Sequence, residues 1–187
     1  MLLTETQAED ADEALMLAWQ AGSAAAFDAL YARHRGGVFR YLLRQCNDRA
    51  RAEELHQDVW MKLIAARTSY QPTARFATWL YTVARNRLID EWRSRAPQRL
   101  EALDLDTHPG PDGDDPQRVA ANAQRGERII AALGALPESQ RDAFLLHVEA
   151  GLSLAEIASL NGAPQETIKS RLRYAYARLR GALGDLQ

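Results

Sequence analysis

An all-α fold follows from three features of this 187-residue chain. Ala, Leu, Arg and Glu recur at helical spacing up to Arg95 and again beyond Arg118, strand-like alternation is nearly absent, and a Pro-, Gly- and Asp-rich stretch without apolar period divides the two halves. The expected architecture is two small helical domains, 1–95 and 118–187, joined by a flexible linker over 96–117. A chain of this length has room for one large domain or two small ones, each burying a modest core.

In the first half the patterning predicts helices near 10–21, 24–44, 50–66 and 74–95. The third places Leu55, Val59 and Leu63 on one stripe, leaving Glu54, Gln57, Asp58 and Met61 outside. That acidic outer face suits a basic partner helix, and a plainly solvated face fits equally well. Before and along the fourth helix, Tyr70, Phe76, Trp79, Tyr81 and Trp92 are interleaved with Arg75, Arg85, Arg87, Arg93 and Arg95. Aromatics among cations hold unpaired bases by stacking and charge together. Phe76 and Trp79 are instead assigned to the core, the commoner fate of such side chains.

The divider, Ala96 to Pro116, carries Glu101, Asp104, Asp106, Asp112, Asp114 and Asp115 against Arg99 alone, and reads as an acidic tether. Helical pattern resumes near Arg118, breaks at Pro137 and runs from Glu138 to about Glu149.

The segment Gly151 to Tyr174 then reads as helix, tight turn and second helix. Ser153 with Glu156 three residues on forms a capping box, Asn161-Gly162 stops the first helix, and Pro164 opens the next. In the second helix Ile168, Leu172, Ala175 and Leu179 fall at i, i+4, i+7 and i+11, leaving Lys169, Ser170, Arg173 and Ala177 on the far side. Between Pro164 and Arg180 the cations Lys169, Arg171, Arg173, Arg178 and Arg180 face a single acid, Glu166. A packed stripe opposite a basic face, behind a capped turn, is the pattern of a helix-turn-helix that reads DNA.

Composition narrows the classes. A formal net charge of −2 excludes a generic polycation, so DNA affinity must come from local patches. The single Cys46 forms no internal disulfide, and His34, His56, His108 and His147 are too scattered for zinc-ligand spacing. The N-terminus is acidic where a signal peptide is basic, and no apolar run approaches the ~18 residues of a membrane span, so a cytoplasmic protein is expected. No nucleophile–base pair, metal cluster or glycine-rich phosphate loop is legible, so neither an enzyme nor a cofactor is expected.

Five segments, Phe27-Asp-Ala-Leu-Tyr31, Ala52-Glu-Glu-Leu-His-Gln-Asp-Val-Trp60, Phe76-Ala-Thr-Trp-Leu-Tyr-Thr-Val-Ala-Arg-Asn86, Leu136-Pro-Glu-Ser-Gln-Arg141 and Ile168-Lys-Ser-Arg-Leu172, resemble in order the signatures of the extracytoplasmic-function (group four) bacterial sigma factors. The resemblance covers nearly the whole chain, and the linker leaves no room for the third domain found in longer sigma factors.

The resemblance implies an alternative sigma factor whose partners are core RNA polymerase (β′ clamp coiled coil and β flap), promoter DNA and an anti-sigma factor. It implies that Glu54, Gln57 and Asp58 anchor on the clamp coiled coil. Tyr70, Arg75, Asn86 and Asp90 match positions that capture and melt the −10 element. Arg141, Thr167, Lys169, Ser170, Arg171, Arg173 and Tyr174 match positions on the −35 element, Tyr174 standing where relatives often carry a basic residue. The competing expectation is a stand-alone helix-turn-helix transcriptional regulator, which would need a doubly wound receiver domain in an N-terminal half that shows no strand pattern.

Overall fold

The computed structural model describes residues 5–95 and 126–184, which are all-helical, with no strand among them. The expected tether at 96–117 and the helix start near Arg118 lie outside the described residues.

Four helices build the N-terminal bundle: α1 (Glu5–Gln20), α2 (Ala24–Cys46), α3 (Arg49–Ala65) and α4 (Phe76–Arg95). Their limits match the sequence pattern to within two residues, except that α1 begins at Glu5 rather than near residue 10.

Side-chain caps set the corners. Ser23 accepts from the Ala26 N–H to start α2, and Asn47 at φ 52° ends it, its N–H returning to the Leu43 carbonyl. Asp48 next door accepts from the Arg51 N–H to start α3, so two residues turn the chain. The Phe76 N–H at the head of α4 donates to the Glu13 carboxylate. Leu30, Tyr41, Leu42, Leu55, Val59, Leu63, Phe76, Leu80 and Leu88 fill the core between these helices. Phe27 and Tyr31 of the first signature pack edge-on against Trp60, so that motif serves the core.

The C-terminal bundle comprises α5 (126–134), α6 (Glu138–Val148), α7 (Leu154–Asn161) and α8 (Gln165–Leu183). The predicted break falls at Pro137, the residue before α6. Ile168, Leu172, Ala175 and Leu179 are all buried, confirming the stripe that orients α8. The two bundles meet where α2 and α4 face α6 and α7.

Candidate functional site

The helix-turn-helix has the local geometry its sequence predicts. Glu156 N–H donates to Ser153 Oγ at 3.3 Å, and Ser153 N–H donates to Glu156 Oε2 at 2.8 Å. Gly162 closes α7 at φ 59°, a left-handed conformation that costs other residues more, and its N–H reaches the Ala158 and Ser159 carbonyls. Pro164 precedes α8.

With the apolar stripe of α8 packed inward, Lys169, Arg173 and Tyr174 are exposed, while Thr167, Ser170 and Arg171 are half-buried along the flanks. Lys169 Nζ has only the exposed Glu166 nearby, at 3.6 Å. The Arg173 guanidinium sits 5.0 Å from the centroid of the Tyr174 ring. Arg141, on α6, turns the other way: its Nε donates to Gln45 Oε1 of the N-terminal bundle at 3.1 Å, and its Nη1 to the Gly134 carbonyl at 3.3 Å.

On α3, Glu54 and Gln57 are exposed, whereas Asp58 is half-buried and takes Arg87 Nη2 of α4 at 2.6 Å. Glu54 is exposed despite an ion pair with Arg51 at 2.9 Å. Met61 and Ile64 are exposed beside them, 59% and 44% accessible, so the acidic face has an apolar margin. Met61 was legible on the outer face of the predicted helix; Ile64 was not.

The four −10 candidates divide. Asn86 and Asp90 are exposed one turn apart on α4. Tyr70 is buried, its ring edge-on to Trp79 at 5.4 Å, and burial, with Glu13 and Asp12 nearby, pushes its phenol up to about 12. Arg75 Nη1 pairs with Glu156 Oε2 at 3.3 Å. Of the other aromatics in this segment, Phe76 is buried and Trp79 half-buried, in line with their assignment to the core, and Tyr81 is buried as well. The rings turn to the core because α4 lies in a groove between helices, and the cations find carboxylates: Arg85 pairs with Asp142 and Arg87 with Asp58.

The contact between bundles was not foreseen. Asp142 of α6, 6% exposed, accepts from Tyr41 Oη at 2.8 Å, Gln45 Nε2 at 3.0 Å and Arg85 Nε at 2.9 Å. Burial, and then the neighbouring Asp142 carboxylate, raise the Tyr41 phenol well above its ordinary range. Glu149 is clamped between Arg40, at 2.9 Å, and Arg44. Tyr81 Oη donates to the Glu149 carbonyl at 3.2 Å. Glu156, beyond its capping role, accepts from Thr78 Oγ1 at 2.5 Å. Burial opposes its ionisation, but the hydrogen bonds from Thr78 and Ser153 and the charge of Arg75 outweigh that and hold its carboxyl below the ordinary value. These partners lie 57 to 109 positions apart for Arg85–Asp142 and Arg40–Glu149, so no local pattern announces them.

Among the described residues no cluster of His, Cys, Asp or Glu could hold a metal ion, and no helix is long and apolar enough to cross a membrane. Burial pushes the Cys46 thiol up to about 11, which suppresses the thiolate needed for reactivity.

Two family models match in chain order: Sigma-70 region 2 over residues 30–98 and Sigma-70, region 4 over residues 126–179. SigL of Mycobacterium tuberculosis, an extracytoplasmic-function RNA polymerase sigma factor, is 38% identical over 168 residues, covering 89% of this chain and 93% of the relative. CarQ of Myxococcus xanthus, an RNA polymerase sigma factor, is 32% identical over 170 residues, covering 89% and 94%. In fold the chain resembles the sigma factor RpoE of Bartonella quintana, solved with the anti-sigma factor NepR, at a TM-score of 0.69, 24% identity and coverage of 84% and 96%. The chain belongs to the extracytoplasmic-function sigma factors of the sigma-70 family. It is thus an alternative sigma factor, one that binds core RNA polymerase and promoter DNA and directs transcription initiation. The region 2 match occupies the half in which a stand-alone regulator would carry a receiver domain, so that competing reading is not favoured.

Proposed function

We propose that the chain divides its work between a domain at 1–95, which docks on polymerase and opens the −10 element, and a domain at 118–187, which reads the −35 element, joined by an acidic tether at 96–117. The observation carrying this division is the exposed pair Lys169 and Arg173 opposite the buried Ile168 and Leu172, on a helix presented by a capped turn. Lys169, Ser170 and Arg173 face base edges, with Tyr174 on the −35 surface beside Arg173, while Thr167, Arg171 and Arg141 hold phosphates. Glu54, Gln57 and Asp58 form the anchor on the β′ clamp coiled coil, a role supported by the exposure of Glu54 and Gln57 and the charge of Glu54 and Asp58. Asn86 and Asp90 contact the melted −10 strand, with Tyr70 and Arg75 supporting the loop that captures a base.

The protein works in the cytoplasm, with no catalytic residue or cofactor of its own, because opening DNA with polymerase needs binding energy rather than a bond-making step. An anti-sigma factor restrains it, as NepR and the cytosolic domain of CnrY accompany the sigma factors they were solved with. Run-off transcription from genomic promoter fragments tests the reading: core polymerase plus this chain should yield discrete transcripts that core alone does not, with permanganate-reactive thymines near −10. No promoter-specific product with saturating chain would reject it.

A further inference from the structure

We propose that the cleft lined by the C-terminal half of α4 and by α6, α7 and α8 is a small-molecule site, and that it takes an adenine ribonucleotide such as ADP. The cleft measures about 660 Å³, within the roughly 300–1,000 Å³ that ligand sites occupy. No step of bond making is assigned to it; the site binds.

The cations in the lining point first to phosphate. Arg93 of α4 and Arg171 of α8 both line the cleft, and neither has a carboxylate partner among the described residues. Other arginines of the two bundles are spent: Arg40 and Arg44 on Glu149, Arg75 on Glu156, and Arg87 on Asp58. Arg85, also in the lining, gives its Nε to Asp142 at 2.9 Å, so those two charges largely cancel. Two uncompensated guanidinium groups remain, each offering forked donors that suit phosphate oxygens. Anion binding by Arg171 here does not depend on its assignment to −35 DNA.

Asn161 of α7 turns an anion site into a nucleotide site. Its Oδ1 and Nδ2 are both withheld from solvent, and neither has a hydrogen-bond partner. An amide left unpaired in this way bears its desolvation cost with nothing returned, and turning it toward a ligand in the cleft it lines breaks no existing bond. Its adjacent donor and acceptor match the N6 amino group and N7 of adenine, the pairing by which Asn selects that base in DNA. Ile89 and Trp92, both half-buried, give the same cleft an apolar and aromatic wall on which a flat base stacks.

Glu138, exposed and also in the lining, supplies an acceptor for ribose hydroxyls, as acidic side chains do in dinucleotide sites. A bare phosphate would leave the Asn161 amide and the indole unused, and an apolar ligand would leave the arginines so. These groups come from four helices far apart in sequence, which is why no phosphate-binding motif announces them.

Calorimetric titration of the full chain with ADP, and in separate arms with adenosine and with inorganic pyrophosphate, tests the site. ADP should bind one-to-one and saturably, and adenosine and pyrophosphate, each carrying part of the ligand, about tenfold or more weakly. Arg93→Glu should weaken ADP binding by about tenfold or more, with the melting temperature kept because that side chain has no internal partner to lose. Asn161→Ala should weaken ADP several-fold, leave pyrophosphate binding unchanged, and not lower stability, a combination that a merely structural residue would not give. Arg178→Glu, an equal charge change elsewhere on α8, should leave ADP binding as it is. Failure to saturate at millimolar ADP overturns the proposal. So does pyrophosphate binding as tightly as ADP, which would mean a simple anion site, or ADP affinity unchanged in both Arg93→Glu and Asn161→Ala. The titration contains neither polymerase nor promoter, so its failure leaves the sigma reading standing, and a failure of run-off transcription leaves the site standing.

Discussion

The residues proposed to meet DNA are held differently on α8 and in the segment that leads into α4. On α8, Lys169 and Arg173 stand exposed on a rigid helix, each with only a near neighbour in sequence for company, Glu166 and Tyr174. In the N-terminal bundle the corresponding segment is tied in: Tyr70 packs on Trp79, Arg75 pairs with Glu156, and Arg87 bridges to Asp58. A helix that reads intact duplex can be finished in advance, because the groove it enters already exists. A segment that captures an unpaired base meets its ligand only after melting, and until then packing and internal ion pairs satisfy its rings and charges.

The largest break in this contrast should come from the core beneath the tied segment. Phe76 is fully buried and packs against His34, Tyr70 and Trp79. Phe76→Ala should destabilise the N-terminal bundle by about 3–5 kcal/mol, the usual cost of emptying an aromatic core site. Hydrogen exchange should report lost protection in α4 with protection in α8 retained. Equal loss in both bundles would mean that they unfold as one unit.

Reversing the anchor is the next largest effect. Glu54→Lys with Asp58→Lys should weaken core polymerase binding by up to a few kcal/mol, because like charges then face each other across the interface. Competition with the wild-type chain for core measures it. Asp58 has a second attachment, Arg87 at 2.6 Å, so Asp58→Lys alone should also lower the melting temperature, whereas Glu54→Lys alone should not.

This division follows how far apart in sequence the cooperating residues lie. The helix-turn-helix was legible to the residue, in its cap, stop and stripe, because every signal falls within one or two helical turns. The helices of the N-terminal bundle were legible for the same reason, and so was the burial of Phe76. The fate of Tyr70, Arg75 and Asp142 was not, since each depends on a partner brought in from a distant segment. Nothing local marks Asp142, one position past the Leu136–Arg141 signature, and only the folded chain shows Tyr41, Gln45 and Arg85 converging on it.

Within α8 a smaller effect separates reading from holding. Arg173→Ala should cost about 1–3 kcal/mol on the preferred promoter and little on one altered at the contacted base pair. Arg171, half-buried on the flank, should behave as a phosphate contact: Arg171→Ala weakens all promoters alike and flattens the salt dependence by roughly one counterion. Transcription from a library randomised across −35, at two salt concentrations, distinguishes them. An unchanged base preference in Arg173→Ala would remove that residue from the reading set.

The smallest expected effect belongs to Tyr174, and it bears on why the exposed helix needs no partner bundle to hold its reader. The Arg173 guanidinium lies 5.0 Å from the centre of the Tyr174 ring, and its Nη2 reaches the phenol oxygen at 3.4 Å. A cation over an exposed aromatic face gains about 0.5–1 kcal/mol, enough to favour one orientation of a long side chain without locking it. Tyr174 would then act by positioning Arg173 rather than by touching a base itself. Tyr174→Ala should cost at most about 1 kcal/mol on the preferred promoter, and the loss should vanish in an Arg173→Ala background, a coupling that a double-mutant cycle reads directly. Tyr174→Phe, which keeps the ring and drops the hydroxyl, should retain most of the effect. If Tyr174→Ala costs the same with and without Arg173, the ring makes its own contact with DNA, and the arginine holds its aim by some other means.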